Sequence, residues 1–335
     1  MFFKLNDKNQ ICYLIVQHVD DLLICTRTQN EYNKIAAHLG LTYDLKEFEA
    51  DIYLGVQIEH DRENNKIKIH QEHTARKILK EFGMENCNPT NLPAEPNHVM
   101  EPAQEGEEVN NPKYPYRQLV GYLVWMLKTR IDLRWAVSQV CRFVNSYTTR
   151  HWKAAKRILR YMAGTLDRGL VYSAGDNPRL EVYVDAGWNT IPENSKSPYG
   201  FFIKYGKYGV ITSEAKTTGL ICHSTCEAEH YAATEAGKAL EWLRGLCEEL
   251  GMPQGTTPVY EDNQGAISLA KDMTGHARTK HFRIRQHYLR QLTRDRIIDV
   301  RHVSSKRQLA DVLTKGLPKP QFDYTTQEIM GDHVW

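Results

Sequence analysis

Four acidic residues in the C-terminal half of this 335-residue chain stand at the ends of predicted helices and strands, where a fold can aim them at one point. They are Asp185, Glu229, Asp262 and Asp311. Converging carboxylates can hold two divalent cations, which activate water and stabilise the leaving oxygen when a phosphodiester is hydrolysed. Each acid taken alone is more simply a surface or helix-capping group, so the prediction rests on the set.

Convergence of these acids requires a compensating charge. Like charges about 4 Å apart cost on the order of 4 kcal/mol at an effective dielectric of roughly 20, so a fold tolerates such a cluster only when a cation or a proton balances it. We therefore predict a metal centre, with Mg²⁺ as its cofactor and Mn²⁺ as the alternative.

The four acids lie in a region where three strands are followed by alternating helices and strands. Asp185 ends the first strand, Glu229 lies in the first turn of a long helix, and Asp262 directly follows a strand. The predicted strands cover 180–184, 199–204, 208–213, 258–261 and 297–303. The predicted helices cover 227–250, 264–271, 279–294 and a last segment that Asp311 opens. This order predicts a mixed sheet with helices packed on it.

Two further sets of residues have the types needed for catalysis. His302 follows the last predicted strand, nine positions before Asp311, and a histidine beside a metal pair can relay protons or help the product leave. Alone, it is more simply a surface residue. Cys226 and His223 have the residue types of a nucleophile and its base, but the sequence offers no third group, and we interpret Ser224 to Cys226 as a helix cap.

Positive charge is concentrated in two segments, although the net charge of the chain is only +2. Residues 276–307 contain ten Lys or Arg and two acids, which favours a phosphate backbone as the partner. A predicted helix at 151–163 carries a second basic set on one face, for which a solvated surface is an equal alternative. This second set is Lys153, Lys156, Arg157 and Arg160.

The N-terminal half predicts a different kind of unit. Two strands are joined by a tight turn that carries Asp20 and Asp21, and a helix at 29–39 and a second hairpin at 52–70 follow. Six of the thirteen prolines lie between Asn86 and Pro115, which predicts a linker. Three amphipathic helices are then predicted at 116–131, 133–147 and 151–163.

The bulk composition bounds the class of protein. A hydrophobic content of 41% is normal for a globular chain, and the seven cysteines are scattered without the paired spacing of a zinc site, which favours a reducing compartment. The start lacks the apolar run of a signal peptide. The most apolar stretch, 119–127, is too short to cross a bilayer, so we expect no association with a membrane.

Several motifs, in one order, resemble the C-terminal part of the Pol polyprotein of copia-type LTR retrotransposons, from about residue 11 to 318. The motifs of the N-terminal half are Val19-Asp20-Asp21-Leu22-Leu23, Tyr53-Leu54-Gly55-Val56-Gln57-Ile58, Tyr116-Arg117-Gln118-Leu119-Val120-Gly121-Tyr122-Leu123 and Thr129-Arg130-Ile131-Asp132-Leu133. Those that follow are His151-Trp152-Lys153-Ala154-Ala155-Lys156-Arg157-Ile158-Leu159-Arg160-Tyr161, Glu227-Ala228-Glu229-His230-Tyr231, Glu261-Asp262-Asn263-Gln264 and Ala310-Asp311-Val312-Leu313-Thr314-Lys315.

The resemblance implies roles for the acidic residues. Asp185, Glu229, Asp262 and Asp311 match the catalytic quartet of a ribonuclease H, with Glu227 as an alternative to Glu229. Asp20 and Asp21 match two of the three metal-binding acids of a polymerase palm. The third is missing from this sequence, so we expect a polymerase region too incomplete to synthesise DNA alone. After Asp185 the family pattern Ala-Asp-Trp is replaced by Ala186-Gly187-Trp188.

The family's fifth motif implies contacts with nucleic acid in the basic helix. It spans Thr279-Lys280-His281-Phe282-Arg283-Ile284-Arg285, and the residues expected to contact nucleic acid are Lys280, His281, Arg283 and Arg285. The implied activity is metal-dependent hydrolysis of the RNA strand of an RNA/DNA hybrid. The alternative is an inactive transposon remnant that at most binds nucleic acid.

The expected fold is mixed α/β, with a ribonuclease H-like mixed sheet flanked by helices and preceded by a truncated reverse-transcriptase palm and thumb and a helical connection. The expected divisions are 1–110 for palm, thumb and Pro-rich linker, 111–173 for the connection, 174–318 for the ribonuclease H-like domain and 319–335 for a tail. Association with a full-length reverse transcriptase is a further hypothesis. We expect an intracellular protein, in a cytoplasmic virus-like particle or in the nucleus.

Overall fold

A computed structural model describes residues 1–175, 178–188, 190, 191, 195–271 and 283–335. The chain begins with a three-stranded antiparallel sheet, in which the predicted turn at Asp20 joins the second and third strands. Its elements are β1 (Phe2–Leu5), β2 (Ile11–His18), β3 (Asp21–Thr26) and the helix α1 (Gln29–Gly40). Thr28 caps α1 by accepting a hydrogen bond from the Glu31 amide, and no residue of α1 is buried. The helix α1 therefore adds no buried side chain to this unit.

A second sheet joins the predicted hairpin to a strand about a hundred residues later in the chain. Its four strands are antiparallel in the order β4 (Ile52–Tyr53), β5 (Val56–Asp61), β6 (Lys66–His70) and β7 (Gly169–Ser173). The helix α2 (Glu72–Glu81) follows β6. The pairing of β6 with β7, Lys68 opposite Val171, ties the N-terminal half to the end of the helical segment.

Three helices, called the connection helices below, lie in the chain between α2 and the strand β7 of this sheet. They are α3 (Tyr116–Met126), α4 (Arg134–Cys141) and α5 (Thr149–Ala163), and the segment 86–115 before them is irregular, as predicted. His151, from the His-Trp-Lys motif, completes a capping box with Thr148 at the start of α5 and stacks on Phe143 with ring centroids 4.0 Å apart. This part of the motif therefore has a structural role.

A buried ion pair holds the connection together. The guanidinium of Arg130 donates to both carboxylate oxygens of Asp132 at 2.9 and 2.8 Å, and neither side chain is more than 1% exposed. The Tyr161 hydroxyl donates to Asp132 at 2.9 Å, and Arg130 also donates to the Thr165 carbonyl. Both members of the pair are thus fully engaged, which is the condition for a buried pair to be tolerated.

Replacing Asp132 by Ala is expected to lower the free energy of unfolding by about 3–5 kcal/mol, because it leaves the Arg130 guanidinium buried without its counter-ion. Urea denaturation followed by circular dichroism measures this. Glu72→Ala is the control, since Glu72 pairs with Arg76 on the exposed side of α2, and its loss should be much smaller. Equal losses in the two variants would contradict the structural role of the buried pair.

The C-terminal half forms a five-stranded mixed sheet, so the predicted α/β fold is confirmed. The strands are β8 (Leu180–Ala186), β9 (Pro198–Tyr205), β10 (Val210–Thr217), β11 (Thr257–Glu261) and β12 (Ile298–His302), in the order β10-β9-β8-β11-β12. β8, β9 and β10 are antiparallel neighbours, whereas β11 runs parallel to both β8 and β12. This is the mixed sheet expected from the sequence, with three antiparallel strands followed by two parallel ones.

Helices cover both faces of this sheet. They are α6 (Thr225–Glu249), α7 (Gln264–Lys271), α8 (Arg283–Arg294), α9 (Asp311–Thr314) and α10 (Lys319–Met330). Val182, Val184 and Phe201 share a core with residues of α6 and α8, while Phe202 faces the other way and joins a core that includes the connection helices. The helix α10, which the sequence did not predict in 319–335, contributes Ile329 and Met330 to that second core.

The termini of these elements determine where the polar site lies. Because β8 and β11 are parallel neighbours, their carboxyl ends meet at one edge of the sheet, next to the first turn of α6 and to α9.

Among the described residues, no helix combines the length and the apolar content that crossing a bilayer requires.

Candidate metal centre

Three of the four predicted acids come together at the edge where β8 and β11 end. Asp185 is the second-last residue of β8, Glu229 lies near the start of α6, and Asp262 directly follows β11. One carboxylate oxygen from each lies within 4.8 Å of the others. Asp185 and Glu229 are buried and Asp262 is half-buried. The arrangement therefore offers a compact set of oxygen ligands from three separate elements.

The fourth acid, Asp311, adjoins this set through a lysine. The Lys315 ammonium lies 2.8 Å from Asp311 Oδ1 and 3.8 Å from Asp185 Oδ2. Thr314 donates a hydrogen bond to Asp185 Oδ2, and Gln321 Nε2 donates to Asp311 Oδ2 at 3.1 Å. The segment from Asp311 to Lys315 thus supplies an acid, a positioning hydroxyl and a compensating charge to one place.

Gly200 allows α9 to approach the sheet closely enough to place Asp311. In the β8–β9 pairing Gly200 lies directly opposite Asp185, and a Cβ atom at Gly200 would be 2.4 Å from the Leu313 Cβ on α9. Real Cβ atoms essentially never come so close, so any other residue here would have to displace α9. The glycine is required by the close approach of α9 to the sheet and not by its own backbone angles.

A fifth acid lies close enough to this cluster to act on its charges, although the sequence predicted no role for it. Glu261, the last residue of β11, is 1% exposed and raises the pKa of Glu229. The alternation of β11, with Thr257, Val259 and Glu261 all buried, is a signal in the sequence that could have identified it. Lys315 ends the motif that begins at Ala310, but no pattern in the sequence around it indicated that its ammonium lies near Asp185.

Burial and mutual repulsion hold protons on this cluster in the absence of a metal. Burial, followed by the charges of Glu261 and Asp185, raises the pKa of Glu229 well above its ordinary value. Burial also raises the pKa of Glu261 and of Asp185, the latter opposed by Lys315 and by the hydrogen bond from Thr314. Burial alone would lower the pKa of Lys315, but Asp185 and Asp311 outweigh it and raise the pKa. The cluster needs more positive charge than one lysine provides.

Asp311 should make the metal-free protein less stable as pH rises. Burial, together with the charge of Asp185, raises its pKa from 3.8 to about 7. Between these values the folded state keeps a proton that the unfolded chain has lost, so stability falls with rising pH. We expect the Tm in EDTA to fall more steeply from about pH 5 to pH 8 for the wild-type protein than for Asp311→Asn, measured by scanning calorimetry. Equal slopes would contradict this assignment.

The donor set fits a divalent cation such as Mg²⁺ or Mn²⁺. Glu229 Oε2 and Glu261 Oε2 are buried and have no hydrogen-bond partner among the described residues. Buried oxygens without hydrogen-bond partners are rare, because burial removes their hydrogen bonds to water and nothing replaces them. A bound cation would compensate for that loss. Hard divalent cations prefer the carboxylate oxygens found here.

Glu227, the alternative to Glu229, has a different role. Its Oε2 accepts a hydrogen bond from the His223 amide, and its own amide donates to Ser224 Oγ, the N-cap of α6. Glu227 therefore belongs to the helix cap that the sequence predicted at 224–226. Burial raises the pKa of Cys226 to about 11, so its thiol is not activated as a nucleophile.

Three predicted site residues lie outside the cluster. His302 ends β12 opposite Glu261, but its side chain is exposed, and no hydrogen bond or ion pair joins it to the four acids in the described part of the chain. Asp20 and Asp21 are exposed at the turn between β2 and β3. Within the described ranges the structure offers them no third acid for a metal site. Their predicted roles stay predictions.

The basic face of α5 lines a groove closed on its other side by the irregular segment 86–115. The groove has a volume of about 760 Å³. Arg160 donates to the Asn88 carbonyl at 2.7 Å, and Arg157 lies 3.6 Å from Glu95, so both hold the segment in place. Lys153 is exposed, and Lys156 lies 5.7 Å above the Trp152 ring. The two lysines form no ion pair with any described residue, which leaves their charge available to a ligand.

The predicted nucleic-acid contacts of the basic helix are described only in part. Lys280 and His281 lie outside the described residues, as does the side chain of Arg283 at the start of α8. The Arg285 guanidinium lies 4.6 Å from the centre of the Tyr231 ring on α6. Arg285 therefore stacks against the helix that carries Glu229, in a half-buried position.

Residues 1–96 match the reverse transcriptase (RNA-dependent DNA polymerase) family. The chain is 35% identical to the retrovirus-related Pol polyprotein from transposon TNT 1-94 of Nicotiana tabacum, over 99% of this chain and 25% of the relative. It is 31% identical to the corresponding protein from transposon RE2 of Arabidopsis thaliana, over 98% of this chain and 22% of the relative. The chain thus spans about a quarter of the length of these relatives.

Among solved structures, the chain is similar to LC11-RNase H1 in complex with an RNA/DNA hybrid. The identity is 14% and the TM-score 0.32, over 47% of this chain and all of that one. The sequence comparisons confirm the predicted resemblance to Pol polyproteins of copia-type transposons, since they extend over nearly the whole chain.

Proposed function

We propose that this chain, a relative of the Pol polyproteins of copia-type retrotransposons, is a metal-dependent nuclease that hydrolyses the RNA strand of an RNA/DNA hybrid. The observation that carries the proposal is the cluster of Asp185, Glu229 and Asp262, with an oxygen of each within 4.8 Å of the others. Buried carboxylates of this density are unfavourable for folding unless a cation is bound, so their retention favours a function for the metal.

Asp185, Glu229, Asp262 and Asp311 would hold the metal, which is Mg²⁺ in this proposal with Mn²⁺ as the alternative. A divalent pair supplies an activated water and stabilises charge on the leaving oxygen. Thr314 and Gln321 fix the orientation of the Asp185 and Asp311 carboxylates through the hydrogen bonds described above. Lys315 partly balances the negative charge and limits repulsion before the metal binds.

The basic residues would hold the hybrid over this cluster. Lys153 and Lys156 on α5 have no carboxylate partner among the described residues, and phosphate contacts by such side chains give affinity without sequence preference. Arg157, Arg160 and Arg285 are partly engaged within the protein, so we assign them supporting contacts. Lys280, His281 and Arg283 would add further phosphate contacts from the basic helix.

His302 would act at a later stage of the reaction. It lies at the end of β12, directly beside the strand that ends in Glu261. Its exposed side chain can exchange protons with solvent, so we assign it proton relay or release of the product. The described residues bring no third acid to Asp20 and Asp21, and a full-length reverse transcriptase is one partner that could supply it.

The test is cleavage of a hybrid whose RNA strand carries a 5′ label, by purified protein with Mg²⁺ or with EDTA. RNA-strand cutting that requires Mg²⁺ and is lost in Asp262→Asn is the expected result. The matched control is Asp323→Asn, because the Asp323 side chain is 42% exposed on α10 and pairs with Lys319. A folded wild-type protein that binds the hybrid without cutting it would support the alternative, an inactive remnant that only binds nucleic acid.

A further inference from the structure

The N-terminal sheet has an open edge at β3. Among the described residues β3 pairs with β2 alone, in a continuous register that starts with His18 opposite Asp21. A two-residue turn closes this hairpin, so His18 and Asp21 form a hydrogen-bonded pair, and the two kinds of pair then alternate along the strands. The backbone groups of Leu22, Ile24 and Thr26 therefore point away from β2, where no backbone hydrogen bond joins them to another described segment.

The strand β3 lacks the features that protect an edge strand from pairing. Its residues 22–26 are Leu, Leu, Ile, Cys and Thr, without a charge or a proline, and its register contains no bulge. The opposite edge of the sheet, β1, has both a bulge and Lys4. The edge strands β10 and β12 of the C-terminal sheet each carry two charged residues. In the second sheet β4 is only two residues long and β7 is largely buried.

Pairing at this edge would also supply packing that the N-terminal sheet lacks. From residue 1 to residue 67 no side chain is buried, although β2 and β3 are largely apolar. Leu23 and Ile24 are half-buried, and Cys25 is exposed. A small sheet without a well-covered face is marginal in water, and additional strands stabilise it. The composition of β3 therefore favours another apolar strand as its neighbour.

The sequence of this edge is complementary to itself when two copies pair in antiparallel orientation. One register places Ile24 opposite the partner's Ile24 and Leu23 opposite the partner's Cys25. The same register places Asp21 opposite the partner's Arg27 at both ends of the pairing. Because the backbone groups of Ile24 point outward, the central pair can exchange two hydrogen bonds.

The charges at the two ends of the edge are available for this pairing. Asp21 and Arg27 form no ion pair within 4.0 Å in the described part of the chain. Arg27 Nε donates to the Ile11 carbonyl at 2.6 Å. Positions 21 and 27 lie on one face of the sheet, because side chains alternate along a strand. Parallel pairing in register would instead place Asp21 opposite the partner's Asp21, so the charges favour the antiparallel arrangement.

We propose that this chain forms a two-fold symmetric dimer through antiparallel pairing of β3 with the β3 of a second copy. The pairing joins the two N-terminal sheets into one continuous sheet with three strands from each copy. The dimer does not rest on the proposed nuclease function, because none of the residues that form it belongs to the carboxylate cluster.

The first experiment measures the molar mass of the full chain by sedimentation equilibrium, from low to high micromolar concentration in reducing buffer. The wild-type protein should show a concentration-dependent dimer. Ile24→Lys should be monomeric over the same range, because two lysines would face each other across the two-fold axis. Ile211→Lys is the matched control, since Ile211 is 46% exposed on the edge strand β10, and it should dimerise like the wild type. A monomeric wild-type protein would overturn the dimer and favour a strand of a different polypeptide as the neighbour of β3.

The second experiment tests the register by disulfide trapping with copper phenanthroline as the oxidant. Leu23→Cys should give several-fold more covalent dimer than the wild type on a non-reducing gel. Antiparallel pairs that are not hydrogen-bonded have Cα atoms about 4.5 Å apart, which is within the range of a disulfide. The control combines Leu23→Cys with Cys25→Ser and should return to the wild-type level, since the thiols would no longer lie opposite each other. Equal trapping in the variant and its control would overturn this register.

A charge exchange tests the ends of the pairing with substitutions that are exposed in the monomer and therefore leave its fold intact. Asp21→Arg should weaken the dimer, because it places two arginines opposite each other at both ends. Adding Arg27→Asp to this variant should restore the dimer. Sedimentation equilibrium measures both variants. A double variant that remains as weak as Asp21→Arg, or a single variant as strong as the wild type, would overturn the proposed pairing.

Discussion

Replacing Glu229 by Gln is expected to reduce Mg²⁺-dependent cleavage of a hybrid by about 1000-fold, whereas Glu227→Gln should retain most of the activity. Metal-assisted stabilisation of the transition state contributes several kcal/mol, and each 1.4 kcal/mol corresponds to about tenfold in rate. Glu229 places at the cluster a buried oxygen that has no hydrogen-bond partner in the described ranges, while Glu227 accepts a hydrogen bond from the His223 amide.

The comparison of these two variants is well matched, because both glutamates are buried in the first two turns of α6. Initial rates with labelled hybrid, at a temperature well below the Tm of each variant, measure the effect. The side-chain amide oxygen in the Glu227→Gln variant can still accept the capping hydrogen bond, so the helix should remain intact. Loss of activity in Glu227→Gln with retention in Glu229→Gln would show that the wrong residue has been assigned to the metal.

Substitution of Gly200 by Ala should lower the rate of hybrid cleavage about 100-fold, although the added methyl group would not contact the substrate. The new Cβ would meet the Leu313 Cβ at 2.4 Å, so α9 must move outward by about 1 Å to reach ordinary van der Waals separation. Because Asp311 opens α9, its carboxylate moves with the helix. A displacement of this size in a catalytic group can reduce a rate by roughly 100-fold.

The same substitution should also lower the free energy of unfolding by about 1–3 kcal/mol, as overpacking of a core does. Gly245→Ala is the control, since Gly245 lies on the exposed side of α6 with no atom within 4 Å of the added Cβ. It should retain wild-type cleavage and gain slightly in stability. Gly200→Ala protein that cuts at the wild-type rate would show that the approach of α9 does not control the site.

The sequence predicted most elements of the C-terminal half, because those have a local signal, but it did not predict α10 (Lys319–Met330). Periodicity and flanking turn residues located β8, β11 and α6, and the acids at their ends could therefore be placed on one edge of the sheet. It could not give the pairing of β6 with β7, whose residues are about a hundred positions apart. Pairing over such a distance depends on tertiary packing and leaves no pattern in a short window.

The candidate site was predicted only in part, because some of its contacts depend on tertiary packing and leave no pattern in a short stretch of sequence. Four acids could be named from their positions, but the contribution of Lys315 depends on the contact between α9 and β8, which only the fold shows. Helical spacing placed the basic residues of α5 on one face, but it could not show that the segment 86–115 covers part of that face.

Direct titration of the protein with Mn²⁺, followed by electron paramagnetic resonance and calorimetry, tests the central claim that the carboxylate cluster is a metal centre. The wild-type protein should bind Mn²⁺, release it in excess Mg²⁺ and gain in Tm on binding, since a ligand specific for the folded state stabilises it. Asp185→Asn retains the shape of the side chain but removes the negative charge of one of the proposed metal ligands. This variant should lose Mn²⁺ binding. Equal binding by a folded Asp185→Asn variant, or no binding by the wild type, would contradict the account.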